Sequence, residues 1–286
     1  MLTSEATLAS KICSSLLRRP WSLLAASLLL AATACSSPAQ RFSQNAAALG
    51  IDSDIVHGTV FQHVVFKQSR RSSSMLHVYI DGDGTPWRDG HPSSDPTPRN
   101  TLLLRLMALD PAPSVYLGRP CYHGLSGTSP CSSIVWTQER YSEAVVSSMA
   151  AALRHILKTS NFDRLAWFGH SGGGTLAVLL APRFPETTDL ITIAANLDID
   201  AWADLHGYSR LNGSLNPARQ PSLPPWIHQR HYVGGKDRQV PEEVVERGPI
   251  DRRQLIVIPS YDHVCCWESI WPALLADIDR TPMPTH

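Results

Sequence analysis

The chain has 286 residues, 43% hydrophobic and 17% charged, a composition suited to one large globular domain of the α/β type. Its 25 basic and 25 acidic residues balance. No basic excess marks a nucleic-acid surface, and no block of like charges forms an interaction tail.

The chain opens on a positive segment with Lys11, Arg18 and Arg19, followed by an apolar run from Trp21 to Ala32 that is too short for an ordinary membrane span. Small residues, Ala32-Thr33-Ala34, then precede Cys35. This pattern resembles a bacterial lipoprotein signal, with 1–34 removed and Cys35 becoming the lipidated first residue; an ordinary secretory signal is the alternative. Ser36 and Ser37 carry no acid that would retain such a protein at the inner membrane, so the expected location is the outer membrane or its periplasmic face. Residues 35–55 then read as a lipidated polar tether, and 56–286 as the folded domain.

Val56 to Phe66 reads as a strand or hairpin arm, and Leu76 to Ile80 as a short buried strand running into Asp-Gly-Asp-Gly. Asn100 to Leu109 has a helical pattern, and Ser114 to Leu117 is strand-like. Cys121 and Cys131 flank a Gly/Ser loop that a disulfide would close, while Cys265 and Cys266 are adjacent and bond only with strain; four cysteines allow three connectivities. No Cys/His spacing matches a zinc site. Glu139 to Lys158 gives the clearest helix, with Tyr141, Val145, Met149, Leu153 and Ile156 on one face. Arg164 to Phe168 is the next strand and Gly172 to Ala181 a helix. Leu190 to Ala194, His231 to Val233 and Leu255 to Ile258 are further strands, and Trp267 to Ile278 is a closing helix. This alternation indicates βαβ units: an α/β fold with a mostly parallel central sheet flanked by helices. The segment from Asn196 to Pro225 is a candidate small cap. Trp202, Leu205 and Tyr208 within it, and Trp87 earlier, either line a pocket or cover the sheet edge.

Between the Arg164 strand and the Gly172 helix lies Gly169-His170-Ser171-Gly172-Gly173, a G-x-S-x-G sequence. On such a strand–turn–helix the serine takes a strained backbone that lifts Oγ above the sheet. Side chains two positions before or after it would collide with the neighbouring strand and helix. The Gly172 N–H then sits at a helix N-terminus, aimed at a developing oxyanion. His170 neighbours the serine, but adjacent residues of the turn point in different directions, so it is expected to pack beside the turn.

These residues resemble the α/β-hydrolase superfamily from about Leu76 to the C-terminus. The stretches YIDGDGTPW, GRPC, WTQERYS and DHVCCW are similar to a group of exported bacterial α/β-hydrolases. The resemblance implies the order serine, acid, histidine. It points to His263, just past the last strand, as the base, and to Asp237 in Gly-Lys-Asp-Arg-Gln-Val-Pro as the acid. Asp198 and Asp200, after the preceding strand, are the alternatives; Asp262 reads as a turn residue. The second oxyanion donor would be the Asp83 N–H, in a loop that usually begins His-Gly. Here the loop brings a carboxylate, which would repel an oxyanion unless turned away. It lacks the remainder of a calcium loop, and no metal or organic cofactor is implied. The implied activity is hydrolysis of an ester, thioester or amide through an acyl-serine, acting on a small-molecule acyl substrate. The alternative is a non-catalytic, surface-tethered binding protein on the same scaffold.

Overall fold

A computed structural model describes residues 36–68 and 73–278. The expected signal segment 1–34 and the lipidation candidate Cys35 lie outside the described residues.

The first element is helix α1, Pro38–Ala48. It differs from the tether expected for 35–55. Ala39, Phe42 and Ala46 recur at helical spacing and are buried. Phe42 packs 5.2 Å from Phe66 and 5.4 Å from Tyr116, ring centroid to centroid. The Ala39 N–H donates to the Asp95 carboxylate at 3.0 Å, which satisfies one orphan donor of the first turn. One aromatic anchor and two small residues thus give a polar-looking segment a core-facing stripe. Strands β1 (Asp52–His57) and β2 (Gln62–Gln68) follow as an antiparallel hairpin.

Next come β3 (Met75–Ile80), the two-residue strands β4 (Trp87–Arg88) and β5 (His91–Pro92), α2 (Leu102–Ala108), and β6 (Ser114–Leu117). The central unit is α3 (Glu143–Lys158), β7 (Arg164–His170), α4 (Gly172–Leu180) and β8 (Thr187–Ile193). The chain then forms α5 (Ile199–His206), β9 (His228–Gly234), α6 (Glu242–Val245), β10 (Leu255–Ile258) and α7 (Trp267–Ile278).

Eight strands make one sheet in the order β1-β2-β6-β3-β7-β8-β9-β10. The hairpin edge is antiparallel, and every pairing from β6 to β10 is parallel. Because side chains alternate along a strand, each central strand feeds two cores. Leu76, Val78, Ile80, Leu165 and Trp167 meet α3 and α4 on one face. Met75, Tyr79, Ala166 and Phe168 meet α1, α2 and α7 on the other, where Trp267 and Trp271 are fully buried. Burial on both faces explains the near-continuous apolar runs of β3 and β7. Crossover helices carry the chain back each time, so the loops leaving β3, β7, β9 and β10 all open at the carboxyl end of the sheet, where open α/β sheets hold their ligand sites.

The Cys121–Cys131 disulfide is present, with Cα atoms 5.6 Å apart, and Cys265 is bonded to Cys266.

Candidate active site

Ser171 stands between β7 and α4 with φ 53° and ψ −124°. A non-glycine residue at positive φ is uncommon and marks a constrained turn. Two contacts enforce it. The Ser171 N–H donates to Ile193 O at 2.9 Å, and its own carbonyl accepts from Gly174 N at 3.0 Å. The tight passage needs Gly169 and Gly173: a Cβ on the first would run into the start of α4, and one on the second into the Ile80 carbonyl of β3.

His263 lies in the loop after β10 and donates from Nδ1 to Asp237 Oδ2 at 2.8 Å. Protonated at Nδ1, a neutral imidazole keeps Nε2 as an acceptor. Asp237, in the loop after β9, has a fully buried carboxylate, whose Oδ1 accepts from the Gln239 and Val240 N–H groups at 2.8 and 2.9 Å. The two loops are sewn together by Gly235 N donating to Ile258 O and Lys236 N to Tyr261 O, each at 2.9 Å. Burial lowers the His263 pKa, an effect that the Asp237 hydrogen bond opposes. His170, set aside by the sequence reading as a neighbour of the turn, supports this loop: its Nε2 donates to the His263 carbonyl at 2.9 Å, with the rings 4.9 Å apart.

The alternatives for the acid are engaged elsewhere. Asp198 caps α5, accepting from Asp200 N and Ala201 N at 3.1 Å and from the Asn216 amide at 2.8 Å. Asp200 pairs with Arg219 at 2.6 Å. Asp262 holds its turn by accepting from Val264 N and Cys265 N. His63 and His123 are core residues, their pKa values pushed down to about 4 by burial.

Across from His263, the loop after β3 brings Asp83 against Gly172; a Cβ on that glycine would strike the Asp83 carboxylate. The carboxylate is held by three donors: Arg119 Nη1 at 2.5 Å and the Tyr141 hydroxyl at 2.6 Å, both on Oδ1, and Arg140 Nη1 at 2.7 Å on Oδ2. Burial alone would raise the Asp83 pKa, but the Arg140 and Arg119 guanidiniums outweigh it and hold the carboxyl well below the usual range. Burial, with the neighbouring Asp83 charge, keeps the Tyr141 hydroxyl protonated as a donor. The Tyr122 hydroxyl fixes the other end of the residue by donating to Asp83 O at 2.8 Å. The expected repulsion is therefore absorbed by a cluster that sequence reasoning missed. Its members were visible only as Arg119 in GRPC and as Arg140 and Tyr141 in WTQERYS, and their pairing with Asp83 spans 36 to 58 residues of chain. Neither the Asp83 nor the Gly172 N–H has an acceptor among the described residues.

Ser171, His263 and Asp83 open on one cleft of about 910 Å3. Of the candidate pocket residues, Trp87, Trp202 and Tyr208 line it, whereas Leu205 does not and is exposed. The expected cap consists of α5 and the irregular chain after it. Trp202 Nε1 and His206 Nε2 both donate to Gln239 O, at 2.9 and 2.8 Å, which ties the cap to the Asp237 loop.

Among solved structures, the chain is similar to a membrane phospholipase A described as a bacterial virulence factor (15% identity, TM-score 0.53, 91% of this chain and 99% of that one). It is similar to an α/β serine hydrolase without lid from Xanthomonas campestris (15%, 0.53, 82% and 96%). It also resembles an esterase from Pyrococcus furiosus (10%, 0.56, 82% and 92%). No protein-family model and no curated protein matches the sequence. At these identities the likeness is one of architecture, and with the sheet order above it gives the conclusion that the chain has the α/β-hydrolase fold.

Proposed function

We propose that the protein is a serine hydrolase that cleaves a carboxylic ester through an acyl-serine on Ser171. The observation that carries this reading is the Asp237–His263 hydrogen bond facing the same cleft as a serine held at positive φ. Ser171 Oγ attacks the acyl carbonyl while His263 Nε2 takes its proton. Asp237 holds the Nδ1–H tautomer and stabilises the imidazolium that forms. Negative charge gathers on the carbonyl oxygen and is received by the Asp83 and Gly172 N–H groups; each such donor typically contributes about 10²–10³ in kcat. His263 returns the proton to the leaving alkoxide, and water repeats the sequence to release the acid. Solved structures of this fold include an esterase, a phospholipase and peptidases, so the bond cleaved is set by the cleft and not by the fold.

Labelling of Ser171 by a fluorophosphonate probe tests the reading. We expect label on the wild type, none on Ser171→Ala, and loss of p-nitrophenyl acetate turnover in that variant. Wild-type turnover in a folded Ser171→Ala protein would refute the assignment. From the sequence pattern alone we also propose export with a lipid anchor on Cys35, which stable anchoring through two or more acyl chains would provide. Equal membrane recovery of wild type and Cys35→Ser would count against it.

A further inference from the structure

The charged groups lining the cleft differ in how much of their bonding capacity the chain itself consumes. The acids are occupied. Asp81 accepts from Gly82 N at 2.8 Å and from the Tyr116 hydroxyl at 3.3 Å, with His170 Nδ1 at 3.8 Å. Asp83 takes the three donors described above. The bases are not. Arg140 gives Nε–H to Thr137 O at 2.5 Å and Nη1–H to Asp83, but Nη2 donates to no group among the described residues, although the residue is only 4% exposed. Arg99, on the cleft wall, is exposed and pairs with no carboxylate among the described residues. Beside it, Asn100 uses its side-chain oxygen to accept from Leu102 N at 3.0 Å, while its amide N–H groups have no acceptor among the described residues.

Among the charged groups of this cleft wall, the unused hydrogen-bonding capacity therefore lies on the bases. The balance around Asp83 has the same sign, with two guanidiniums against one carboxylate. The Arg140 guanidinium is held by its buried N–H groups, while the free Nη2 reaches the cleft and presents a fixed donor to an ionised oxygen ligand. A planar fork with free donors suits such oxygens in particular.

We infer that the substrate of this site carries an anionic oxygen group, carboxylate or phosphate, received by Arg140 Nη2 with Arg99 and Asn100 as further donors. The inference rests on the serine-hydrolase reading and adds to it the charge of the substrate.

The test compares p-nitrophenyl valerate with p-nitrophenyl hemiglutarate, in which a carboxylate replaces the terminal methyl group. We expect kcat/KM for the anionic ester to exceed that for the neutral one by about tenfold to a hundredfold, the range for a hydrogen bond to a charged group. The ratio should fall towards one in Arg140→Met and Arg99→Gln and shrink with added salt. Competition by glutarate and by inorganic phosphate at constant ionic strength separates the two anion sources. A wild-type ratio of one or less overturns the inference while the hydrolase reading stands. Should neither ester turn over and no fluorophosphonate label appear, the hydrolase reading fails. Calorimetric titration with glutarate and phosphate then decides the anion site alone: binding that Arg140→Met abolishes supports it, and no binding of either anion overturns it.

Discussion

Two aspartates, Asp237 fully buried and Asp83 partly so, stand on opposite sides of Ser171, and their surroundings suit them to opposite duties. Asp237 faces one imidazole and two backbone N–H groups. In the proposed reaction its partner gains and loses a proton, which requires a local field that leaves both states accessible. Asp83 faces two guanidiniums and a phenol. None of these titrates near neutrality, so its carboxylate is locked as an ion whose work is to hold the shape of a loop. Residue type alone does not separate a carboxylate that takes part in proton traffic from one that is structural; the titration of its partners does.

The difference can be tested to breaking point. The largest expected effect is that of Asp237→Asn. An amide favours the wrong tautomer and no longer stabilises imidazolium, which in serine proteases costs about 10⁴ in kcat. Turnover should fall by that order while the melting temperature stays near wild type. Asp198→Asn, measured beside it, should be nearly silent in kcat; the reverse ranking would transfer the role to Asp198.

Asp83→Asn should show the converse signature. It leaves two buried guanidiniums uncompensated, and breaking a buried ion pair from one side costs about 3–5 kcal/mol. The urea midpoint should drop accordingly, with an unchanged slope. A variant as stable as wild type would mean that the cluster is not an ionic lock.

A smaller effect concerns pH. The proposed base acts in its neutral form, and burial depresses the His263 pKa below the usual 6.5 despite the opposing pull of Asp237. Activity should therefore persist on acidification and fall only as pH drops through that lowered pKa. The acid limb of kcat/KM should have its midpoint below 6.5, and a midpoint above it would contradict the burial argument. The smallest effect is that of Asp198→Ala, which removes the α5 cap at a cost of about 1 kcal/mol, read as a modest shift in thermal midpoint.

Most of the sheet and the elbow were legible because their signals are local. Ser114–Leu117, Leu255–Ile258 and Trp267–Ile278 were delimited by apolar runs between turn formers and match the observed elements. The Asp237 and His263 positions were reached through chain order after the elbow, and the structure brings their side chains together. The first helix was missed because Phe42 is the lone large apolar residue in its stripe; Ala39 and Ala46 contribute by letting the backbone approach, which hydropathy barely registers. The Asp83 cluster and the His170–His263 contact were illegible for another reason. They join residues 36 to 93 positions apart, and nothing in a local window says which of many arginines a given aspartate will meet.

The positive φ of Ser171 also sets the fold against the activity proposed for it. A serine in that conformation costs of the order of 1–3 kcal/mol, which glycine would not incur. Ser171→Ala keeps the burden and loses the hydroxyl; Ser171→Gly loses both. The glycine variant should thus outlast the functional protein on heating, with the alanine variant between them or level with wild type. If so, drift towards stability alone would erode this site, and the proposed nucleophile persists as a standing debit against the thermal margin of the molecule.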